Sequence, residues 1–197
     1  MALNKSKLEN GLNDAFKQVQ EKTYKVAVLG SLDASKKISN AIVDYAKDAE
    51  VQIPAPVSGF IIAGATADPS VAGVKLKVKT AMTGKIPLQG IIFSNFELDS
   101  LISRKYLLLF SAAIVVYAAT SFTAFTKGSI MAVGASVMSL PPFLQPATKK
   151  GEAGGTVQDV VKEMANIIHR SFKATIFTGT VIAGTAVIPA PLVGPLQ

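Results

Sequence analysis

The sequence predicts an α+β fold in which amphipathic helices pack with short strands and extended Pro/Gly arms. Three observations support this fold class. Apolar residues recur at helical spacing near both ends of the chain, a Val-Lys-Leu-Lys-Val-Lys run alternates as strands do, and prolines interrupt two extended segments. We divide the chain into an N-terminal helix-helix-strand half at 1–95 and a C-terminal half at 96–197, which holds a long apolar helix, a short helix and an extended arm.

Two helices are predicted in the N-terminal half. Apolar residues fall at helical spacing between residues 4 and 22, and either Asn4 or Ser6 is a suitable N-cap. After a break at Gly30-Ser31, Asp33 is predicted to cap a second helix that ends near residue 50. Both helices have one apolar face, so both are expected to pack against the rest of the chain.

The middle of the chain predicts an extended arm and two strands. Pro54 and Pro56 exclude a helix and confine sheet pairing to an edge, so 51–62 is predicted to be an arm. Residues 86–93 are a strand candidate, and residues 74–79 alternate so that three lysines share one face, Lys75, Lys77 and Lys79. These lysines either protect an edge strand from unwanted pairing, which we favour, or face a phosphate or an acidic partner.

A long apolar helix is predicted at 98–126. Twenty-one residues between Lys105 and Lys127 carry no formal charge, which is long enough for a membrane-spanning helix. Threonines and a serine dilute its second half, so burial in a protein core or an oligomer interface is favoured over a membrane. The residues assigned to this apolar interface helix are Leu108, Ile114, Val115 and Tyr117.

The last part of the chain predicts a helix, a strand region and a second arm. Thr156 and Asp159 resemble a capping box at the start of a helix that runs to about residue 173. Residues 128–148 are expected to be flexible because glycine and proline interrupt them, and the Thr/Val/Ile-rich segment 174–188 is typical of strands.

A repeat links the two halves. Residues 38–47 align with 164–173, and each helix precedes a nearly identical arm, at 53–59 and 188–194. Either the chain contains a diverged internal duplication, or the Pro-Ala-Pro motif arose twice independently. Because stiff proline segments lose little entropy on docking, four prolines are predicted to hold neighbouring subunits together: Pro54, Pro56, Pro189 and Pro191. Removal of 187–197 is then expected to weaken assembly and leave the monomer folded.

The chemistry-bearing residues argue against an enzyme. The chain has no cysteine, which excludes disulfides, thiolate metal sites and a cysteine nucleophile. Its one histidine, His169, is expected to face solvent, Thr83-Gly84-Lys85-Ile86 does not form a phosphate-binding loop, and the acidic residues are scattered. We therefore expect no catalytic residues, no cofactor and no metal.

Charge and hydropathy indicate what the partners are. The net charge is +7, but only two of the 20 basic residues are arginine, so specific nucleic-acid recognition is not expected. With 49% hydrophobic residues and a mean hydropathy of +0.39, much apolar surface must be covered, in an oligomer, a larger assembly or a membrane. The polar N-terminus is followed by no short apolar segment, so no secretory signal is expected.

Three segments together resemble small virion structural proteins of tailed bacteriophages. These are the opening Met-Ala-Leu-Asn-Lys-Ser, the helix segment Ala41-Ile42-Val43-Asp44-Tyr45 before a Val/Pro/Gly arm, and the closing Pro-Ala-Pro-Leu-Val-Gly-Pro-Leu. The resemblance implies a multi-copy tail, neck or baseplate component, located in the virion and made in the host cytoplasm. Its implied partners are itself and other virion proteins.

The long apolar helix departs from that family's pattern, since short members would end before it. It leaves a rival interpretation open, a membrane-associated lysis or pore component with one spanning helix at 106–126.

Overall fold

The computed structural model describes residues 3–53, 61–62, 65–66, 73–79, 81, 84–96, 104–138, 154–183 and 186–197. These residues form helices and strands in mixed order, which confirms the α+β prediction. The helices are α1 (Lys5–Gln20), α2 (Ala27–Ala46), α3 (Lys85–Phe96), α4 (Arg104–Ser121) and α5 (Val157–Lys173). The strands are β1 (Glu50–Gln52), β2 (Ile61–Ile62), β3 (Ala65–Thr66), β4 (Lys75–Val78), β5 (Ala124–Lys127), β6 (Ile130–Val137), β7 (Ile176–Ala183) and β8 (Ala186–Pro195).

Six of the described strands form one antiparallel sheet in the order β1-β4-β5-β6-β7-β8, and β2 pairs with β3 separately. Backbone hydrogen bonds of 3.1 and 2.9 Å join Glu50 and Gln197, so the sheet curls until its first and last strands meet at one end. The predicted halves at 1–95 and 96–197 share this sheet, because β1 and β4 come from the first and β5 to β8 from the second.

The core is built around aromatic side chains that the helices and the sheet bring together. Phe172 of α5 lies with its ring centroid 5.4 Å from Tyr45 of α2 and 5.6 Å from Phe122 beyond α4, both in edge-on geometry. Phe125 and Phe177, on β5 and β7, approach to 4.8 Å. All five side chains are fully buried. Edge-on aromatic contacts of this kind add to the stabilisation from burial alone.

Local signals place the ends of two helices where the sequence predicts them. The side chain of Asn4 accepts a hydrogen bond of 3.2 Å from the backbone amide of Lys7, which caps α1. At α5, Thr156 and Asp159 form the predicted reciprocal capping box, with Asp159 accepting from the Thr156 amide at 2.9 Å. Each cap satisfies amides that lack partners within the helix.

Helix α2 begins earlier than predicted, and its cap assignment was wrong. Gly30 lies inside the helix, where a Cβ atom would stand 3.1 Å from the ring of Tyr24, so the glycine admits a close side-chain contact rather than ending an element. Asp33 does not cap the helix. It lies inside α2 and accepts a 2.6 Å hydrogen bond from the Tyr24 hydroxyl.

The predicted strand at 86–93 is helix α3 instead. An apolar run of this length fits either structure by periodicity alone, and Pro87 lies in the first turn, where a helix tolerates proline. Contacts with α2 and α4 cover the helix and decide the outcome. Leu88 and Ile92 are buried there.

The long helix predicted at 98–126 ends earlier in the structure and is followed by a strand, and its first residues, 98–103, lie outside the described ranges. Helix α4 ends at Ser121, and Ala124–Lys127 forms β5, which pairs with β4 and β6. The predicted span at 106–126 is therefore divided between a helix and a strand. In the ranges that the structure describes, no helix combines the length and the apolar character needed to cross a membrane.

Strand β6 replaces part of the segment that was expected to be flexible. A two-residue turn at Gly128-Ser129 joins β5 to β6, and Gly128 has a φ of +60°. Gly-Ser between two apolar runs is a hairpin signal, since a positive φ at the first turn position favours glycine. The sequence carried this signal, but the glycines in 128–148 were interpreted as a sign of flexibility.

Candidate assembly surfaces

The lysine strand lies in the middle of the sheet rather than at its edge. Lys75, Lys77 and Lys79 are exposed on the side opposite the buried Leu76, as the alternation predicts. Strand β4 pairs with β1 on one side and β5 on the other, so protection of an edge strand is not their role. The lysines instead form a row of positive charge on the outside of the sheet.

On the far side of β5 from this row, strands β6 and β7 present an uncharged surface, which we call the outer face. Val137 lies directly opposite Ile176, and their side chains are 69% and 47% exposed. The same register pairs Ala135 with Thr178 and Val133 with Thr180. All residues of the outer face are exposed or half-buried and none is ionisable: Met131, Val133, Ala135, Val137, Ile176, Thr178, Thr180 and Ile182.

Helix α4 contributes to the core of the chain itself. Ile114 and Tyr117 are fully buried, and the Tyr117 hydroxyl donates a 2.5 Å hydrogen bond to the carbonyl of Ala81. This corrects the interface interpretation for these two residues, which contact their own chain. Val115 is half-buried against the core, and the side chain of Leu108 lies outside the described residues.

The second proline arm is a strand of the chain's own sheet. Pro191 lies in β8 opposite Thr180 of β7, and the register shifts beside Thr180, so that Pro189 lies within a bulge. A bulge is one of the few places where a sheet accepts proline. In this structure the segment therefore pairs within the chain instead of reaching a neighbour, which corrects its assignment as an inter-subunit arm. Pro54 and Pro56 lie outside the described residues.

The structure does not test the predicted internal duplication. In the C-terminal copy, strand β7 stands between the helix and the proline segment, and this strand accounts for the longer spacing. The matched helices α2 and α5 contact each other through Tyr45 and Phe172.

His169 is half-buried and bonded, so the expectation that it faces solvent was wrong. Its Nδ1 lies 2.7 Å from the hydroxyl of Tyr45, which is itself fully buried. A neutral imidazole accepts this hydrogen bond from the tyrosine, whereas a protonated one has no lone pair to offer. Burial, followed by the charges of Lys173 and Lys5, lowers the pKa of His169 below its usual value. The pair closes the core between α2 and α5.

We expect stability to fall as the pH drops from about 7 to about 5 because of His169. Since its folded-state pKa is lowered, the unfolded chain takes up a proton first, and this uptake favours unfolding. Urea unfolding midpoints at both ends of this range measure the effect. His169→Gln is expected to show a weaker pH dependence than the native chain, and an equal dependence would assign the effect to other groups.

A second surface, which the sequence analysis did not predict, lies at the turn between α1 and α2. We call residues 21–32 the hairpin tip. Four large apolar side chains are exposed there to between 42% and 55%: Val26, Val28, Leu29 and Leu32. The signal was present in the sequence as the run Val-Ala-Val-Leu-Gly-Ser-Leu, but the Gly30-Ser31 pair was interpreted as a break.

Ion pairs with Asp33 brace the hairpin tip. The carboxylate lies 3.1 Å from the ammonium of Lys22 and 2.9 Å from that of Lys37, in addition to its bond with Tyr24. These hydrogen bonds, with that of Tyr24 foremost, hold the pKa of Asp33 well below its usual range. Two lysines thus match the charge of Asp33, and Glu21, the acidic residue within the tip, lies 3.9 Å from the ammonium of Lys17.

Across the described residues, no group of three or more His, Asp or Glu side chains is placed to hold a metal ion. No protein-family model, curated protein or solved structure matches this chain.

Proposed function

We propose that this protein is a structural subunit that assembles with copies of itself, as a tail, neck or baseplate component of a tailed-bacteriophage virion. The outer face of β6 and β7 is the observation that supports self-assembly. The resemblance of the segment Ala41–Tyr45 and of the closing Pro/Gly segment to small virion proteins supports the phage assignment.

The outer face suits a second copy because of its lack of charge. At a net charge of +7, two copies repel each other over most of their surfaces. The described strands β6 and β7 carry no ionisable residue on this side, and the ammonium of Lys79 reaches only one end of the face, 3.8 Å from the sulfur of Met131. A contact through Val137 and Ile176, at the other end, therefore brings no like charges together. A two-fold arrangement of this kind places the same patch on both subunits.

Exposed apolar side chains supply the driving force for this contact. Val137 and Ile176 lie directly opposite each other near one end of the face, and Val133 is 42% exposed further along β6. Burying a valine or isoleucine side chain fully is worth about 1.5–3 kcal/mol relative to leaving it exposed. The lysine row lies on the same side of the sheet, separated from this face by β5, where it is available to acidic groups of other virion proteins.

We expect Val137→Lys to reduce the mass of the assembly in solution, measured by multi-angle light scattering, because it introduces like charges into the contact. Val116→Lys is the matched control. It adds the same charge to an apolar residue that is 43% exposed on α4, away from the outer face. If Val137→Lys keeps the native mass, or if Val116→Lys reduces it equally, the outer face is not the site of self-association.

The phage assignment has its own test. Antibodies raised against the purified chain are expected to label tails, necks or baseplates of the phage that encodes it, in negatively stained electron micrographs. Labelling confined to membranes of infected cells would contradict the virion location and leave the self-assembly result untouched.

A further inference from the structure

The hairpin tip presents apolar side chains on all of its sides. Residues 25–29 are consecutively exposed, and they include Val26, Val28 and Leu29. A helix that binds a partner protein along one side exposes only one apolar stripe when the partner is absent. An end that is exposed all round is covered only by a partner that surrounds it. A fluid bilayer surface surrounds a projecting apolar end without a preformed pocket.

The charges around the tip select the kind of surface. Lys25 lies within the exposed run, and Lys36 lies one helical turn beyond Leu32, about 6 Å further along the axis. Neither has an ion-pair partner among the described residues. Apolar burial of about 5–10 Å at the headgroup boundary places such lysines level with lipid phosphates. This arrangement fits a negatively charged surface.

Two further features favour the same surface. The only acidic residue within α2's first two turns, Asp33, is paired with Lys22 and Lys37, so it does not repel an anionic surface. The braced turn also holds the apolar residues in place before contact, which lowers the entropic cost of docking.

We infer that the hairpin tip inserts into the surface of an anionic lipid bilayer, with Val26, Val28, Leu29 and Leu32 among the acyl chains and Lys25 and Lys36 at the headgroups. This activity is independent of the self-assembly proposed above, because it uses α2 rather than the sheet.

Vesicle flotation of the full chain tests this inference. We expect the chain to float with vesicles of equimolar phosphatidylcholine and phosphatidylglycerol and to remain unbound with phosphatidylcholine alone. The double variant Leu29→Asn/Leu32→Asn is expected to lose at least about tenfold in vesicle affinity, since both side chains are exposed in the free chain and enter the acyl region. Lys25→Gln and Lys36→Gln are expected to weaken binding about fivefold each at low salt.

A matched control separates the tip from apolar surface in general. Val116→Asn/Val157→Asn removes two side chains of similar exposure, 43% and 42%, on other helices, and it is expected to bind vesicles as the native chain does. Binding that is absent from anionic vesicles, or unchanged in the Leu29→Asn/Leu32→Asn variant, would overturn the inference. A variant that instead lowers the mass of the lipid-free assembly would assign the tip to a contact with a second copy.

Discussion

Replacing Gly134 with alanine is expected to destabilise the fold by about 3 kcal/mol, at the upper end of the usual cost of overpacking. Gly134 lies opposite Gly179 on β7, and a Cβ atom on it would overlap with the carbonyl oxygen of Thr178. That oxygen belongs to the backbone, so it cannot move aside as a side chain would. The midpoint of urea unfolding, followed by circular dichroism, measures the loss.

Gly90 supplies the control for this substitution. It lies in α3 with no heavy atom within 4 Å of its would-be Cβ, so Gly90→Ala is expected to be neutral or to gain up to about 1 kcal/mol from helix propensity. In Gly179→Ala, the new Cβ atom would lie 2.5 Å from the carbonyl oxygen of Val133. The costs of Gly179→Ala and Gly134→Ala are not expected to add, because either substitution alone already forces β6 and β7 apart at this point. An unchanged midpoint for Gly134→Ala would show that the strands separate readily there.

Removing residues 187–197 is expected to abolish cooperative unfolding of the chain, rather than only to weaken its assembly. The deletion takes away nearly all of β8, the partner of β7, together with Leu196, which is 1% exposed, and Gln197, which closes the sheet against Glu50. Strand β7 would then present unpaired backbone groups at a new edge, where aggregation begins. Circular dichroism and size-exclusion chromatography of the shortened chain report the outcome.

Two point substitutions within the deleted segment separate the contribution of a buried residue from that of an exposed one. Leu196→Ala is expected to cost about 2–5 kcal/mol because it opens a cavity in the core. Pro195→Ala, at the neighbouring exposed position, is expected to change the unfolding free energy little. A shortened chain that stays monomeric and unfolds at the native midpoint would restore the interpretation of this segment as a free arm.

The lysine row, the outer face and the hairpin tip differ in how far the sequence alone predicts them. The alternation at 74–79 correctly places three lysines on one exposed face, because a strand's side chains point to opposite sides whatever its neighbours are. Which strands lie beside that face depends on pairings between residues far apart in the chain, such as Val137 with Ile176. The sequence did not predict the tip because a glycine such as Gly30 usually indicates the end of a helix. Its position inside α2 is explained only by its close contact with the ring of Tyr24, which the sequence does not show.

The sequence by itself determined the features that depend on neighbouring residues. These include the α+β class, the start of α1 at a cap that the sequence places at Asn4 or Ser6, the capping box at Thr156 and Asp159, and the absence of cysteine chemistry. Only the tertiary structure decided that 86–93 is helical, that the apolar segment after Ser121 turns into a strand, and that the last strand closes the sheet against Glu50. Caps and alternation act over a few residues, whereas apolar runs without clear periodicity take the form that their distant contacts stabilise.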